Sequence, residues 1–170
     1  MRKENPEGSG AQGADEDYDE IVLESFLTYK ISILAKLIDR RTIRVMAQEF
    51  DLKLSEMRVL AQLANHSPGT VRYLARRMHM DRADVSRATS ALIEKKYILR
   101  KVDKSDGRSA LFQVTPKGLE HYRKILPTRV AENARISSIL TEEENTVLRR
   151  AIAKLTAELT AEAEVLDQKP

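Results

Sequence analysis

Arg82, Ala83, Ser86, Arg87 and Ser90 are small or hydrogen-bonding residues spaced so that they share one side of a helix, while Val85, Ala88 and Leu92 share the other. The first set can read base edges: short side chains let a helix enter a major groove, and arginine forks meet guanine or phosphate. The second set must be buried. A polar loop further on, Asp-Lys-Ser-Asp-Gly-Arg at 103–108, carries Lys104, Asp106 and Arg108. Its cations can reach a phosphate or an adjacent minor groove, where arginine is favoured.

The elements that must hold these residues are legible around them. Thr70 is a good N-cap for a short helix bearing Leu74, Ala75 and Met78. Asp81 restarts a second helix after His79 and Met80, with Asp84 at the capping-box position and both carboxylates favourable near the N-terminus. Tyr97–Val102 and Ser109–Val114 are rich in Ile, Leu, Val and Phe and flank the polar loop, which predicts a hairpin. Asp106-Gly107 supplies its turn chemistry. Residues 70–115 therefore read as a winged helix-turn-helix, in a fold that is mainly α with a small β-hairpin wing.

The run helix, turn, helix, Asp-x-x-Asp-x-Arg wing and then Val-Thr-Pro-Lys-Gly at 114–118 resembles the MarR (multiple antibiotic resistance regulator) family of dimeric transcription factors. The resemblance spans about Phe26 to Leu159 and is strongest from Leu74 to Gly118. It implies that Arg108 is the wing arginine and Asp106 the acid that holds it. Two departures stand out. Gly107 occupies the place of the family's usual arginine, and His79 stands where the turn often has glycine, although histidine tolerates positive φ better than most side chains. Phe-Leu-Thr-Tyr-Lys at 26–30 resembles the branch of the family that controls aromatic-acid catabolism.

At 170 residues the chain is one domain's worth, with room for a core. It has no Cys, which excludes disulfides and thiolate metal sites and agrees with a reducing cytoplasm, where we expect the protein. No apolar run approaches the ~20 residues a membrane span needs, and the start of the chain has no signal-peptide pattern. Net charge is +3, but residues 70–129 hold 15 Lys and Arg against 6 Asp and Glu, while both ends are acidic. Positive charge thus sits where the motif sits, as a phosphate footprint requires.

Residues 1–17 read as a disordered acidic tail, followed by a dimerisation helix over 18–50, the reading region over 51–115, C-terminal dimerisation helices over 116–166 and a tail over 167–170. The first helix is expected from about Asp19 to Phe50, with Leu23, Phe26, Leu27, Ile31, Leu34, Leu37, Ile38, Val45 and Met46 forming a stripe too long for a lone surface helix. Ser55 is the expected N-cap of the next helix, whose Met57, Val59, Leu60 and Leu63 continue the core to about Asn65; His66-Ser-Pro-Gly69 is a loop. Pro116 opens a helix to about Leu140 that Pro127 should kink or interrupt. Thr141 and Glu144 form a capping box for the last helix, with Leu148, Ile152, Leu155, Leu159 and Leu166 spaced as a seam. Pairing these helices across a two-fold axis would hold two reading heads ~34 Å apart on a pseudo-palindromic operator in double-stranded DNA.

The resemblance further implies a homodimeric repressor released by a small-molecule effector. An aromatic acid needs a cation and an apolar, partly aromatic slot. Tyr29, Lys30, Ile33, His66, Tyr73, His121 and Tyr122 are the candidates, Lys30 and His66 foremost. An enzyme is disfavoured: the three histidines at 66, 79 and 121 are scattered, and neither a Gly-rich phosphate loop nor metal-ligand spacing is present, so no cofactor or metal is expected. A DNA-binding or architectural protein without an effector is the remaining alternative.

Overall fold

A computed structural model describes residues 22–102 and 110–167. The predicted N-terminal tail and the wing loop with Lys104, Asp106 and Arg108 lie outside the described residues. The elements are α1 (Leu27–Phe50), α2 (Leu54–Asn65), α3 (Val71–Met78), α4 (Arg82–Glu94), β1 (Ile98–Val102), β2 (Ala110–Val114), α5 (Pro116–Ser137) and α6 (Glu142–Asp167). The chain divides into two compact units, 1–45 and 46–170.

In the first unit, α1 begins later than the apolar stripe suggests. Leu23–Ser25 is a single 3-10 turn, and Phe26, extended at φ −68° and ψ 133°, separates it from α1. Leu27, Ile31, Leu34 and Leu37 then expose 47–64% of their surface.

The second unit holds the core. Met57, Val59, Leu60 and Leu63 of α2 are buried, as are Leu74 and Ala75 of α3, Val85, Ala88 and Leu92 of α4, Ile98, Phe112 and Ile125. These are the apolar faces that the helical spacing predicts. Helix α2 packs on α4 and α5, and α3 on α4. The hairpin is antiparallel, with Ile98 opposite Val114, Arg100 opposite Phe112 and Val102 opposite Ala110. Gly69 adds a rung on the other side of β2, its N–H donating to Phe112 O at 3.0 Å and its carbonyl accepting from Phe112 N at 2.8 Å.

Caps decide where the helices start. Tyr73 N donates to Thr70 Oγ1 at 3.1 Å. Ala83 N and Asp84 N donate to Asp81 Oδ1 at 2.7 and 3.3 Å. Between these two helices His79 takes φ 49° and ψ 46°, the left-handed conformation that the sequence departure allows. Thr141 and Glu144 cap each other, Thr141 N to Glu144 Oε2 at 2.8 Å and Glu144 N to Thr141 Oγ1 at 3.2 Å.

One expectation fails. Ser55 lies inside the first turn of α2 rather than capping it; Lys53 holds the N-cap position, and Glu56 Oε2 accepts its N–H at 3.3 Å. Helix α5 runs through Pro127 without interruption and ends at Ser137. Its C-terminus is closed by Asn145, whose Nδ2 donates to Ser137 O at 2.8 Å.

Thr115 caps α5 through Gly118 N at 3.0 Å, and Pro116 opens the helix. Gly118, in the first turn, passes so close to the residue preceding β1 that an added Cβ would overlap the Tyr97 carbonyl. Gly118→Ala is therefore expected to cost about 1–3 kcal/mol or more of unfolding free energy by urea titration, because backbone rather than a mobile side chain must yield.

Candidate nucleic-acid interface

Helix α4 is set by its buried side. With Val85, Ala88, Thr89 and Leu92 facing the core, Arg82, Ala83, Ser86, Arg87 and Ser90 are all exposed on the opposite side. Thr89 and Ser90 turn their hydroxyls back to Ser86 O at 2.8 and 3.0 Å, so these hydroxyls are directed along the helix. Arg87 pairs with Asp84 one turn earlier, both side chains more than half exposed. Such an exposed pair contributes only about 0.2–1 kcal/mol, so a phosphate or guanine edge can draw the guanidinium away. Asp84 stands in the first turn of α4, as expected of a charge favourable near the N-terminus, and also holds Arg87.

The far end of α4 is fixed by charge. Lys95 Nζ lies 3.0 Å from Glu56 Oε2 and 3.4 Å from Asp51 Oδ2, and it also donates to Asp51 O. Burial disfavours the Lys95 ammonium, but hydrogen bonding and attraction from Glu56, then Asp51, outweigh it and raise its pKa. Lys117 Nζ donates to Lys95 O at 2.9 Å and stands 5.0 Å from the centre of the Tyr97 ring. No local signal in the sequence marks this cluster, since the partners of Lys95 are 39 and 44 residues away.

The candidate ligand residues fall into separate groups. Tyr29, Lys30 and Ile33 lie in the first turns of α1, Tyr29 partly buried and the other two exposed. In the second unit, Tyr122 OH meets Asn65 Nδ2 at 3.3 Å, next to His66. His66 Nε2 faces Arg77 at 3.2 Å, and Arg77 Nε also donates to Gln62 Oε1 at 3.1 Å. Arginine can only donate, so His66 Nε2 accepts and its ring proton sits on Nδ1. Arg77 is a cation the sequence reading did not select. Tyr73, on the same helix, is 39% exposed.

His121 belongs elsewhere. Its ring stacks on Tyr97 at 4.4 Å, Nδ1 lies 3.3 Å from the Tyr97 hydroxyl and Nε2 lies 3.1 Å from Phe50 O. Only an Nε2–H can serve a carbonyl, so both nitrogens are engaged in holding α5 to the end of α1 and the start of β1. A depression of 430 Å³ lies at the start of α6, lined by Glu142, Glu143, Thr146, Val147 and Arg150. It contains none of the candidate ligand residues, and its two carboxylates oppose an acid. No helix among the described residues is long and apolar enough to cross a membrane.

A helix pair with a left-handed turn, an outward small-polar face and a two-stranded wing defines a winged helix-turn-helix. The MarR family model matches residues 50–109. An HTH-type transcriptional regulator of Bacillus cereus is 27% identical over 109 residues, covering 64% of this chain and 72% of that protein. The S. aureus MepR–DNA complex has the same fold, with TM-score 0.71, 21% identity and coverage of 78% of this chain and 98% of the other. Bordetella bronchiseptica BpsR, whose DNA binding is described as regulated by 6-hydroxynicotinic acid, aligns with TM-score 0.65 and 18% identity over 75% of this chain and 98% of its own. The chain thus shares the winged-helix fold of these proteins, and its residues 50–109 match the MarR family model.

Burial, followed by the charges of Lys124, Lys95 and Lys117, lowers the His121 pKa from its ordinary 6.5, against the stabilising bond to Phe50 O. The unfolded chain therefore takes up this proton first as pH falls. The contribution of neutral His121 is full above about pH 6.5 and is lost progressively below it. Melting temperature should drop between pH 7 and 5, and the drop should be smaller in His121→Gln, which keeps a donor and an acceptor but does not titrate.

Proposed function

We propose that this protein is a homodimeric repressor that binds a pseudo-palindromic site in double-stranded DNA and is released by a small aromatic carboxylate, controlling genes of aromatic-acid catabolism. The observation that carries the DNA-reading part is the outward face of α4. A capped, buried-on-one-side helix presents Arg82, Ala83, Ser86, Arg87 and Ser90 together, and its exposed branched apolar residue, Ile93, stands in the last turn, away from the N-terminal end that would enter a major groove. The surplus of cations between 70 and 129 supplies the phosphate attraction. Arg108 and Lys104 on the wing loop, with Asp106 to orient the arginine, extend the footprint to the backbone or minor groove. The solved MepR relative in complex with DNA supports the same use of the fold.

Dimerisation through 18–50 and 116–166 is supported by apolar seams that a single chain leaves open. Leu148, Ile152, Leu155 and Leu159 are 42–61% exposed along α6, and Leu27, Ile31, Leu34 and Leu37 of α1 are 47–64% exposed. Contiguous exposed apolar surface of this kind is characteristic of an interface. The effector reading draws on the BpsR description, since 6-hydroxynicotinic acid is a hydroxylated aromatic acid. Tyr29, Lys30, Ile33, His66, Tyr73 and Tyr122 are its proposed contacts. His121 is reassigned to the scaffold, because its ring nitrogens are already used. A ligand preferring a state with mis-spaced heads weakens DNA binding by its differential affinity, and a 30-fold effect needs only ~2 kcal/mol.

Fluorescence anisotropy with DNA flanking its own gene, at fixed salt and titrated with phenolic and benzoic acids, tests the whole scheme. Release by one acid is the expected result; tight specific binding that no acid disturbs would leave a DNA reader without this effector class. Arg87→Ala should cost ~1–3 kcal/mol of discrimination at particular base pairs, whereas Arg108→Ala should weaken specific and non-specific DNA alike. A uniform loss for Arg87→Ala would reassign it to phosphate contact. Replacing Leu155 and Leu159 with Glu should give monomers in sedimentation, and a persistent dimer would move the interface away from α6.

A further inference from the structure

The DNA-reading face depends on the angle of α4 as well as on its residues. The helix is held along its length by Val85, Ala88 and Leu92, all buried. Apolar contacts of this kind tolerate roughly 15–20° of scatter in packing angle. At about 1.5 Å per residue, α4 is a lever on the order of 20 Å long, so a tilt of about 10° at one end moves the other by about 3 Å. That is the difference between a hydrogen bond to a base and none.

Lys95 supplies a directional restraint at the C-terminal end. Its ammonium donates to Glu56 Oε2 at 3.0 Å and to the Asp51 carbonyl, with the Asp51 carboxylate 3.4 Å away. Glu56 is 3% exposed and its Oε2 also receives Lys53 N, so it cannot follow Lys95 if α4 shifts. Asp51 stands at φ 49° in the turn between α1 and α2, a conformation that Asp adopts more readily than most residues. The carbonyl of Lys95 is in turn bonded by Lys117 from the first turn of α5. One side chain therefore joins that turn and the start of α2 to the end of α4, while its backbone is held by α5.

We propose that Lys95 is a positioning residue for base reading: by tying the end of α4 to Glu56 and Asp51, it sets the angle at which Arg82, Ser86 and Arg87 meet the groove. This rests on the assignment of α4 as the DNA-reading helix. Base discrimination is the readout, since a strut that only stabilises the fold would not change it.

The test uses the full chain. Wild-type protein first enriches a duplex from a random-sequence pool, and anisotropy at fixed salt then compares that duplex with a scrambled one of equal composition. The informative variant is Lys95→Met with Glu56→Gln, in which Gln still accepts the Lys53 N–H and no carboxylate is left buried alone. The expected result is a fall of about tenfold or more in the ratio of specific to scrambled affinity, with scrambled binding changed by about twofold at most. Lys95→Arg, which keeps the charge for both acidic partners, is expected to retain most of the ratio. A double variant that melts lower yet discriminates as the wild type does would overturn the proposal. Should that variant not fold, Glu56→Gln alone, with Lys95 left only to Asp51, is expected to lose part of the ratio, and an unchanged ratio overturns the proposal as well. Failure of the wild type to enrich any duplex would instead sink the DNA-reading assignment itself, before any variant is compared.

Discussion

Three chain segments must pass through the small volume where α4 ends, and the close approach of Gly118 to Tyr97 makes that possible. Lys96 turns the backbone at φ 61°, Tyr97 leads into β1, and α5 starts against the Tyr97 carbonyl. That carbonyl accepts Thr115 N at 2.9 Å and Thr115 Oγ1 at 3.1 Å, and the same hydroxyl lies 2.8 Å from Lys96 O. Four consecutive residues divide the work there. Thr115 caps, Pro116 starts the helix, Lys117 ties down the end of α4, and Gly118 leaves room. Without that meeting point, the hairpin and α4 would share no fixed frame.

Charge is used in two ways on the same small domain. Arg82 and Arg87 face solvent, where screening keeps ion pairs weak and exchangeable, so Asp84 holds Arg87 only loosely. Lys117, itself exposed, lies back against the Lys95 carbonyl and the Tyr97 ring, whereas Lys95 points inward to a buried carboxylate. A cation in the second setting is committed, because leaving Glu56 unpaired in the interior costs far more than losing a surface pair. Sequence composition counts both kinds alike as positive charge. Only the geometry separates cations that can meet phosphate from those that brace the scaffold.

That separation marks the limit of what is legible from the residues alone. Thr70, Asp81 and Thr141 are readable as caps because an N-cap acts on amides two or three residues away. The buried and exposed sides of α4 follow from helical periodicity, and the left-handed turn at His79 from the resemblance, which puts His79 where the turn often has glycine. Ser55 misleads because a good capping residue lies one position inside the true start, where Glu56 closes the helix by reaching back to Lys53. Pro127 does not interrupt α5, since the residues on either side of it continue the helix. The Lys95 cluster, the His121 stack and the Gly69 rung join residues distant in sequence. No local pattern encodes them.

The last helix carries a different kind of constraint. Its first turn is well held: the Thr141–Glu144 box caps it, and Asn145 Nδ2 donates to Ser137 O, Leu140 O and Thr141 O at 2.8, 3.2 and 3.0 Å. Beyond that turn the side chains from Thr146 to Leu159 are exposed, the apolar ones with the polar. Most helical stability in a protein comes from packing an amphipathic face, and a helix that continues for many residues past its anchored turn lacks that contribution. The seam at Leu148, Ile152, Leu155 and Leu159 has the spacing to supply it against a second helix. On the dimeric reading, one interaction would then serve two ends. The copy that completes α6 would be the copy that carries the second reading head, so folding of the C-terminal helix and spacing of the two heads would be set by the same contact.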